Sequence, residues 1–349
     1  MINSNGFEVK NMEYSYFSSL AANLLNPRRG NLPNLYIYGP PGTSKTFYIS
    51  KLKNEINGSE NFIYSNGKLV RTLGRPMHWE NLIGGREAKF WWLTFHQGIS
   101  YEDFVLGLRP IPEGTGLKLQ PRAGPLLEAA EWAKDGGASF VIIDEMNRGD
   151  LPRILGDFIT FMEYGNREGS DNNLTFANLN MNPMNPLESE DIIFPDGERK
   201  INLNDGGYDI PKHLYLLGTM NSLDRSVAPI DSAIERRFNR IPLVANPQSL
   251  HQDEWPIPDS MKVIAIKLLE RLNSIIDENV KHYPEESHLG QAILGTSSNA
   301  AALKYAINFR LLPQFKKVLG HNLETYINTL EEIKAYNKNI YIGNGARLP

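Results

Sequence analysis

The feature that most constrains this chain is a glycine-rich loop set between an apolar run and a helical pattern. The loop consists of Gly39, Pro40, Pro41, Gly42, Thr43, Ser44, Lys45 and Thr46. The run before it, Leu35-Tyr36-Ile37-Tyr38, has the length and residue types of a buried strand. Phosphate groups need inward-turned backbone N–H groups, a helix N-terminus, a lysine and a hydroxyl for Mg²⁺. All of these occur here in order, so the sequence predicts a nucleotide site.

One residue of this loop departs from the usual pattern. Ser44 stands where such loops carry a glycine immediately before the lysine. We expect a side chain there to strain a backbone that needs positive φ, although small residues can occupy the position. The alternative interpretation is a chance Gly-Pro turn. The flanking strand and helix, together with Lys45 and Thr46, favour the nucleotide site.

A second apolar run, Phe140-Val141-Ile142-Ile143, ends in two adjacent acids, Asp144 and Glu145. In a phosphate-loop fold, an aspartate at this point sits beside the loop and holds Mg²⁺ through water. The glutamate that follows is placed to polarise the attacking water as general base. An apolar run followed by Asp-Glu is common by itself, but the upstream loop supports the catalytic interpretation. Because both acids are present, we expect hydrolysis of nucleotide as well as binding.

A third apolar run, Leu214-Tyr215-Leu216-Leu217, leads into the polar residue Asn221, and Asp224 and Arg225 follow. Further on, Arg236 and Arg237 end a short helical segment. Paired arginines at a helix end can reach the phosphates of a neighbouring subunit and stabilise transition-state charge. The alternative is a solvated helix terminus that the helix dipole favours. The other motifs favour the catalytic interpretation.

The order of these segments predicts an α/β fold in which a parallel sheet is flanked by helices. Strand-like runs alternate with helical patterns such as Pro125–Lys134 and Leu151–Tyr164. After Asn246-Pro247 the pattern is helical, with Met261, Ile264, Leu268, Leu272, Ile275 and Ile276 on one face of a long helix. We therefore expect a helical lead-in at 1–34, an α/β domain at 35–245 and a helical domain at 246–349.

Two stretches do not fit the alternating strands and helices of a minimal α/β unit, and we expect them to project from the sheet as insertions. Residues 84–122 are rich in glycine, proline and aromatic residues and include Phe90-Trp91-Trp92-Leu93-Thr94-Phe95. Residues 165–211 are rich in Asn, Gly and Asp and contain a possible hairpin around Pro195-Asp196-Gly197. If these insertions reach the pore of a ring, they are where a translocated polymer would touch the protein.

Composition narrows the cellular setting. The chain has 349 residues, a formal net charge of −4 and no cysteine, which excludes disulfides, thiolate metal sites and cysteine nucleophiles. No run approaches the roughly 18 apolar residues that span a bilayer, and the N-terminus lacks the features of a secretory signal. We therefore expect a cytoplasmic protein with no membrane contact. The acidic balance argues against broad adhesion to nucleic acid, although a local basic pore is compatible with it.

Taken together, these motifs resemble the AAA+ ATPases, and within them the McrB-type motor subunits of modification-dependent restriction and defence systems. The segments that carry the resemblance are GPPGTSKT (39–46), FHQGISYEDFVLGLRP (95–110), FVIIDEMNRGDLPRILGDFITFME (140–163) and LLGTMNSLDRSVAPIDSAIERRF (216–238). The segments HLGQAILG (288–295) and NFRLLPQF (308–315) resemble the helical lid of this family. The resemblance implies a P-loop AAA+ fold with a C-terminal lid subdomain.

The resemblance also implies roles for individual residues. Residues 39–46 and Asp144 bind ATP or GTP, and Thr46 and Asp144 hold Mg²⁺. Glu145 activates water, and Asn221 resembles the sensor at the γ-phosphate. The remaining catalytic candidates are Arg236 and Arg237, which act across a subunit interface, and Asn147 and Arg148, an extra polar pair beside the site.

Two further departures limit this comparison. The Asn-rich stretch at 165–190 is longer than the hairpin region of the family. Only 34 residues precede the first strand, where McrB-like restriction subunits carry a DNA-reading domain. We therefore expect a bare motor whose specificity belongs to a partner.

The leading functional hypothesis is an oligomeric Mg²⁺-dependent nucleoside triphosphatase, expected to form a hexameric ring. It would work on nucleic acid with a separate McrC-like nuclease or other effector, with DNA as a candidate for passage through the pore. ATP is favoured over GTP because it is the commoner substrate of the class. The alternatives are a MoxR-like chaperone that remodels a protein partner, and a nucleotide-gated assembly switch.

Overall fold

The protein is described by a computed structural model, which covers most of the α/β region and the helices that follow it. The described residues are 14–27, 31–58, 61–65, 68–72, 74–170, 192–197, 199–201, 208–222, 230–252, 255–281, 283–320, 322, 325, 328 and 329. The predictions for Asp224 and Arg225, and for the Asn-rich stretch from residue 171 to residue 190, lie outside these residues.

Helices and strands follow one another up to residue 242, and the elements described beyond it are helical. The strands are β1 (Asn34–Gly39), β2 (Asn61–Ser65), β3 (Lys68–Thr72), β4 (Ala88–Thr94), β5 (Leu106–Glu113), β6 (Gly116–Ala123), β7 (Ala138–Asp144), β8 (Ile192–Ile193), β9 (Lys200–Ile201), β10 (Leu214–Asn221) and β11 (Asn239–Pro242). The helices are α1 (Tyr14–Leu24), α2 (Lys45–Ile56), α3 (Met77–Ile83), α4 (Tyr101–Phe104), α5 (Pro125–Lys134), α6 (Leu151–Leu155), α7 (Phe158–Phe161), α8 (Ser232–Glu235), α9 (Asp259–Asn279), α10 (Ala292–Gly295), α11 (Ala300–Ala306) and α12 (Leu312–Leu319).

A five-stranded parallel sheet forms the centre of the α/β region, in the order β11-β1-β10-β7-β4. The three apolar runs predicted as strands are β1, β10 and β7, and they lie side by side. Their near-continuous apolar sequences suit strands that are covered on both faces. Because the strands are parallel, the polar residues that follow each run meet at the same edge of the sheet.

The two faces of this sheet bury alternate residues of each strand. On one face, Phe140 and Ile142 pack with residues of α1, α2 and α3 in one apolar cluster. On the other face, Val141 and Ile143 pack with residues of α4 to α8 in a second cluster. The α/β class predicted from the alternation of segments is therefore confirmed.

The helix predicted over 151–164 is interrupted. It divides into α6 and α7 at Gly156, whose φ is +51°. A Cβ atom at this position would lie 2.8 Å from the Tyr101 ring, so the close approach of that ring requires a glycine.

The prediction of an insertion at 84–122 is wrong for its first part. Residues 88–94 form β4, an edge strand of the central sheet that pairs with β7 along its whole length. The aromatic residues there pack on the sheet, and Phe90 stacks on Phe140. The aromatic residue types of this run suit a strand, but only the pairing partner shows to which sheet it belongs.

Within the described residues, strands from both expected insertions join in a second sheet. Strands β5 and β6 form a long antiparallel hairpin, and β8 and β9 extend it in the order β5-β6-β8-β9. The turn at Pro195-Asp196-Gly197 connects β8 and β9 as the sequence predicted. One face of the long hairpin is aliphatic, with Leu108, Leu117 and Leu119 exposed at 39%, 76% and 56%.

The helices after residue 246 enclose an apolar cluster of their own. The predicted amphipathic helix is α9, which buries Leu268, Leu272 and Ile276 against α10, α11 and α12. A short π-helical turn, Ile307–Leu311, joins α11 to α12. The division of the chain near residue 245 remains a prediction. Within the described part of the chain, no helix has the length and apolar character to cross a membrane.

Candidate functional site

The loop at 39–46 adopts a tight conformation that its glycines permit. Gly42 has a φ of +80°, and a Cβ atom on Gly39 would lie 2.0 Å from the carbonyl oxygen of Leu243. Ser44 has φ 71° and ψ 24°, which is the left-handed region. The expectation of a positive φ at residue 44 is therefore confirmed, and the serine bears a conformational cost that a glycine would avoid.

Helix α2 begins at Lys45, so its free backbone N–H groups lie at the loop, as an anion site requires. The Lys45 ammonium lies inside the loop, where Nζ donates to the carbonyl oxygens of Gly39 (2.9 Å) and Pro40 (2.8 Å). Burial lowers the pKa of Lys45 to about 8, and the nearby Glu145 and Asp144 oppose this shift. A buried ammonium whose hydrogen bonds go to neutral carbonyls has a strong tendency to pair with an anion.

The two residues predicted to hold Mg²⁺ lie together. Thr46 Oγ1 donates to Asp144 Oδ1 over 3.3 Å, although the two residues are 98 positions apart. A hydroxyl and a carboxylate at the mouth of a phosphate loop match the oxygen ligands that Mg²⁺ prefers. This donor pair therefore fits a magnesium ion bound together with a nucleotide.

Thr219 is a residue of this site that sequence reasoning missed. It is 2% exposed on β10, where its hydroxyl donates to Asp144 Oδ1 and accepts from the backbone N–H of Glu145 (3.1 Å). One side chain thus positions both acids. The sequence did contain a signal for this role, since Thr219 is a polar residue that follows an apolar strand-like run and precedes further polar residues.

The Glu145 carboxylate is held from two sides. Asn221 Nδ2 donates to Oε1, and Arg148 Nε donates to Oε2 over 3.3 Å. The Glu145 backbone has a φ of 56°, which turns the chain sharply after β7. Asn147 is 8% exposed, and its Nδ2 donates to the Asn221 backbone oxygen over 3.4 Å. The structure thus brings together all four of these predicted residues.

The segment at 288–295, which resembles part of the family's helical lid, contacts the backbone of the phosphate loop. The N–H of Ala292 donates to the Gly42 carbonyl oxygen over 2.9 Å, and the N–H of Gly290 donates to that of Pro41 over 3.3 Å. A Cβ atom on Gly290 would lie 2.1 Å from the carbonyl carbon of Gly42, so only a glycine permits this approach. The segment at 288–295 therefore touches the nucleotide loop directly.

The two predicted arginines lie away from the site formed by the phosphate loop and the two acids. Arg236 is exposed, and Arg237 forms an ion pair with Glu163 (2.9 Å) and donates to the Ala233 carbonyl oxygen (2.8 Å). Both line a cavity with Glu163 and Tyr164 that is separate from the loop at 39–46; Pro27, Asn31, Leu32 and Gly165 complete its lining. Glu163 is a second residue that sequence reasoning did not single out.

This geometry suits hydrolysis of a phosphoanhydride. The loop, the helix terminus and Lys45 offer positive potential for phosphates, and Thr46 and Asp144 offer oxygen ligands. Glu145 and Asn221 are hydrogen-bonded to each other and form a base and an amide on adjacent strands.

Comparison with known proteins agrees with this chemistry. Residues 73–238 match the profile of the AAA domain, dynein-related subfamily. The EcoKMcrB subunit of a Type IV methyl-directed restriction enzyme from Escherichia coli K12 is 28% identical over 211 residues, which are 60% of this chain and 34% of that protein. The YdiS component of the Type II restriction enzyme BsuMI from Bacillus subtilis 168 is 24% identical over 314 residues, 82% of each chain.

The match thus spans about a third of the E. coli relative's length. Among solved structures, PCH-2 of C. elegans is 13% identical with a TM-score of 0.34, over 91% of this chain and 68% of that one. The profile match begins at residue 73 and does not include the phosphate loop at 39–46. The resemblance and the parallel α/β fold inferred from the motifs are confirmed: the chain contains an AAA domain of the dynein-related subfamily and has homology to McrB-type restriction components.

Proposed function

We propose that the chain is a Mg²⁺-dependent nucleoside triphosphatase that uses ATP in preference to GTP. The observation that carries this proposal is the meeting of five residues at one edge of the sheet. They are Lys45 and Thr46 at the start of α2, Asp144 and Glu145 after β7, and Asn221 at the end of β10. ATP is preferred because it is the commoner substrate of the class.

Each residue has a defined task in this reaction. Lys45 exchanges the carbonyl oxygens of Gly39 and Pro40 for phosphate oxygens, because a charged acceptor binds an ammonium more strongly. Thr46 and Asp144 hold Mg²⁺, which when bound neutralises charge on the phosphates. Glu145 accepts the proton of the attacking water, and Asn221 orients that water or the γ-phosphate.

We propose further that the chain acts as a homo-oligomeric ring, a hexamer, because the pocket lacks an arginine of its own from the α8 segment. Arg236 and Arg237 line a cavity elsewhere on the chain. In a head-to-tail ring, that surface of one subunit would face the pocket of the next. An arginine supplied in this way stabilises transition-state charge.

The restriction components among the relatives support a role in a McrBC-like restriction or phage-defence system. We propose a McrC-like nuclease or other effector as the partner, DNA as the polymer acted on, and the cytoplasm as the location. The second sheet supports contact with a polymer, since Arg109, Lys118 and Arg122 alternate along the polar face of its hairpin. Cations at this spacing attract phosphate backbones.

The opposite face of the same hairpin favours a second candidate, remodelling of a protein partner. Leu108, Leu117 and Leu119 lie exposed there, and strand pairing also places Pro110 and Pro112 on this face. An aliphatic face suits contact with protein more than contact with phosphates. Stimulation of turnover by DNA would favour the nucleic-acid function, and its absence would favour the protein function.

The test of the proposed function is a pair of variants assayed for nucleotide binding and turnover. Glu145→Gln should bind ATP and lose turnover, because the amide cannot accept the proton. Lys45→Ala should weaken binding itself. Glu87→Gln, an exposed glutamate outside the pocket, removes the same charge and should leave both properties unchanged.

Two results would contradict this proposal. Near wild-type turnover by Glu145→Gln would show that another group is the base. Full activity of a monomer, established by light scattering under assay conditions, would remove the need for a neighbouring arginine. The same assay with GTP in competition, and with and without DNA, tests the nucleotide and polymer preferences.

A further inference from the structure

Glu163 lies at the cavity that contains the two arginines. It lies two residues after the end of α7, and its Oε1 is 2.9 Å from Nη2 of Arg237. The Arg237 side chain is 13% exposed and the Glu163 side chain is 46% exposed. The guanidinium therefore sits just beneath the surface, with a carboxylate on its outer side.

The main chain around this ion pair is held from below by Asn34, the first residue of β1, which is fully buried. Its Nδ2 donates to the carbonyl oxygens of Met162 (2.8 Å) and Arg237 (2.9 Å). Met162 precedes Glu163, so one amide group fixes the backbone on both sides of the ion pair. Because the backbone is fixed at both residues, the side chains of Glu163 and Arg237 can pair without a search through many conformations.

A further hydrogen bond also restricts the side chain of Arg237. Its Nη1 donates to the Ala233 carbonyl oxygen over 2.8 Å, which holds the guanidinium along α8. Among the described residues, Arg236 forms no ion pair or hydrogen bond through its side chain, and it is exposed. The structure therefore gives Arg237 one orientation and leaves Arg236 without one.

A half-exposed ion pair of this kind contributes little to stability, because water screens it and the two side chains lose conformational freedom when they pair. Its effect on geometry is larger, since a carboxylate and a guanidinium align when they share hydrogen bonds. An arginine that must reach a phosphate in another subunit gains from being oriented before the subunits meet.

We propose that Glu163 is a positioning residue for the reaction, and that it holds the Arg237 guanidinium ready for the nucleotide of the neighbouring subunit. This inference rests on the proposed function, in which Arg237 acts across the interface. Glu163 touches neither nucleotide nor water in this arrangement. It acts on the site of the next subunit, through Arg237.

The experiment uses the full chain and compares steady-state ATP turnover, ATP binding and thermal melting of four variants. Glu163→Gln should lower kcat by about 10-fold to 100-fold, the effect of a small misplacement of a catalytic group. ATP binding and the melting temperature should stay near wild type. Arg237→Ala should lower kcat at least as much, and the double variant should be no slower than Arg237→Ala.

The matched control is Glu235→Gln. Glu235 lies on α8 two residues before Arg237 and pairs with Arg240 over 2.6 Å, so this variant removes a charge from the same surface. It should retain wild-type turnover. Glu163→Asp keeps the charge and should fall between Glu163→Gln and wild type, and it provides the same test should Glu163→Gln melt early.

A mixing assay locates the defect. Glu163→Gln subunits have an intact pocket, and Glu145→Gln subunits have an intact arginine surface. When the two are mixed in equal amounts, turnover should rise above that of either parent, to at most about a quarter of wild type for random head-to-tail rings. A residue with a merely structural role, or one acting in its own pocket, would give only the average of the parents.

The outcomes separate this inference from the proposed function. If Arg237→Ala keeps turnover, or fails to regain it on mixing, the arginine does not act across the interface and the proposed function loses that step. If Arg237→Ala behaves as expected but Glu163→Gln turns over like wild type, only the role of Glu163 is refuted. If Glu163→Gln loses turnover and mixing with Glu145→Gln subunits does not restore it, the role of Glu163 is refuted as well.

Discussion

The strained serine of the phosphate loop allows a quantitative test. Among the described residues, only Ser44, Glu145 and Tyr283 combine a side chain with a positive φ. The left-handed region costs an L-residue about 1–2 kcal/mol, whereas glycine there loses about 0.5–1 kcal/mol in backbone entropy. The Ser44 hydroxyl is also buried without a hydrogen-bond partner in the described structure, which adds on the order of 1 kcal/mol.

From these terms we expect Ser44→Gly to raise the free energy of unfolding of the nucleotide-free protein by about 1–2 kcal/mol. Ser44→Ala removes the hydroxyl but keeps the strained backbone, so it should gain less than the glycine variant. The matched control is Ser50→Gly in the exposed part of α2. It should lose roughly 0.5 kcal/mol, since glycine is the poorer helix former.

The measurement is urea unfolding without nucleotide, followed by far-ultraviolet circular dichroism and by tryptophan fluorescence. Coincident transitions are needed before the midpoints are converted to free energies. If Ser44→Gly is no more stable than wild type while Ser50→Gly loses stability, the strain argument is wrong. Equal gains for Ser44→Gly and Ser44→Ala would assign the whole effect to the hydroxyl.

Two further predictions concern the charged centre of the site. Thr219→Val should lower turnover and the apparent affinity for Mg²⁺ by about 10–100-fold, because residues that orient metal ligands have effects of that size. Thr219→Ser keeps the hydroxyl and should restore both quantities, as measured by titrating turnover with magnesium. The pKa of Lys45 is about 8 in the folded protein, below its ordinary value of 10.5, so the unfolded chain binds more protons between these values. The free energy of unfolding of the nucleotide-free protein should therefore rise with pH across that window. Urea titrations at several pH values should show this rise in wild type, and a rise of equal size in Lys45→Met would refute the assignment.

Much of the fold was predictable because its signals are local. Each buried strand of the parallel sheet carries an apolar run, and the residues of the loop at 39–46 need only their neighbours in sequence to adopt their turn. The grouping of Asp144, Glu145 and Asn221 was implied by the family resemblance, and it agrees with the rule that the carboxyl ends of parallel strands share an edge. These predictions needed no knowledge of which strand pairs with which.

Assignments that depend on which strands pair with each other were harder to make from the sequence. The run at 88–94 reads equally well as a strand of an insertion or of the central sheet, and its pairing with β7 decides between them. Thr219 lies within the segment at 216–238 that carries the family resemblance, but its hydrogen bonds to the acids depend on β10 lying beside β7. Only that neighbourhood puts one hydroxyl within reach of two consecutive acids.

The ion pair of Glu163 and Arg237 shows why such residues escape a reading of the sequence. It depends on Asn34, which bonds to residues 128 and 203 positions away. No local pattern distinguishes Asn34 from any polar residue at the start of a strand, and no charge pattern marks Glu163. A chemical group can be recognised from residue type and spacing, but the residue that orients it is selected by the packing of distant segments. The residues that we propose to position this site therefore had to come from the structure, while those that we propose to react were predicted from the sequence.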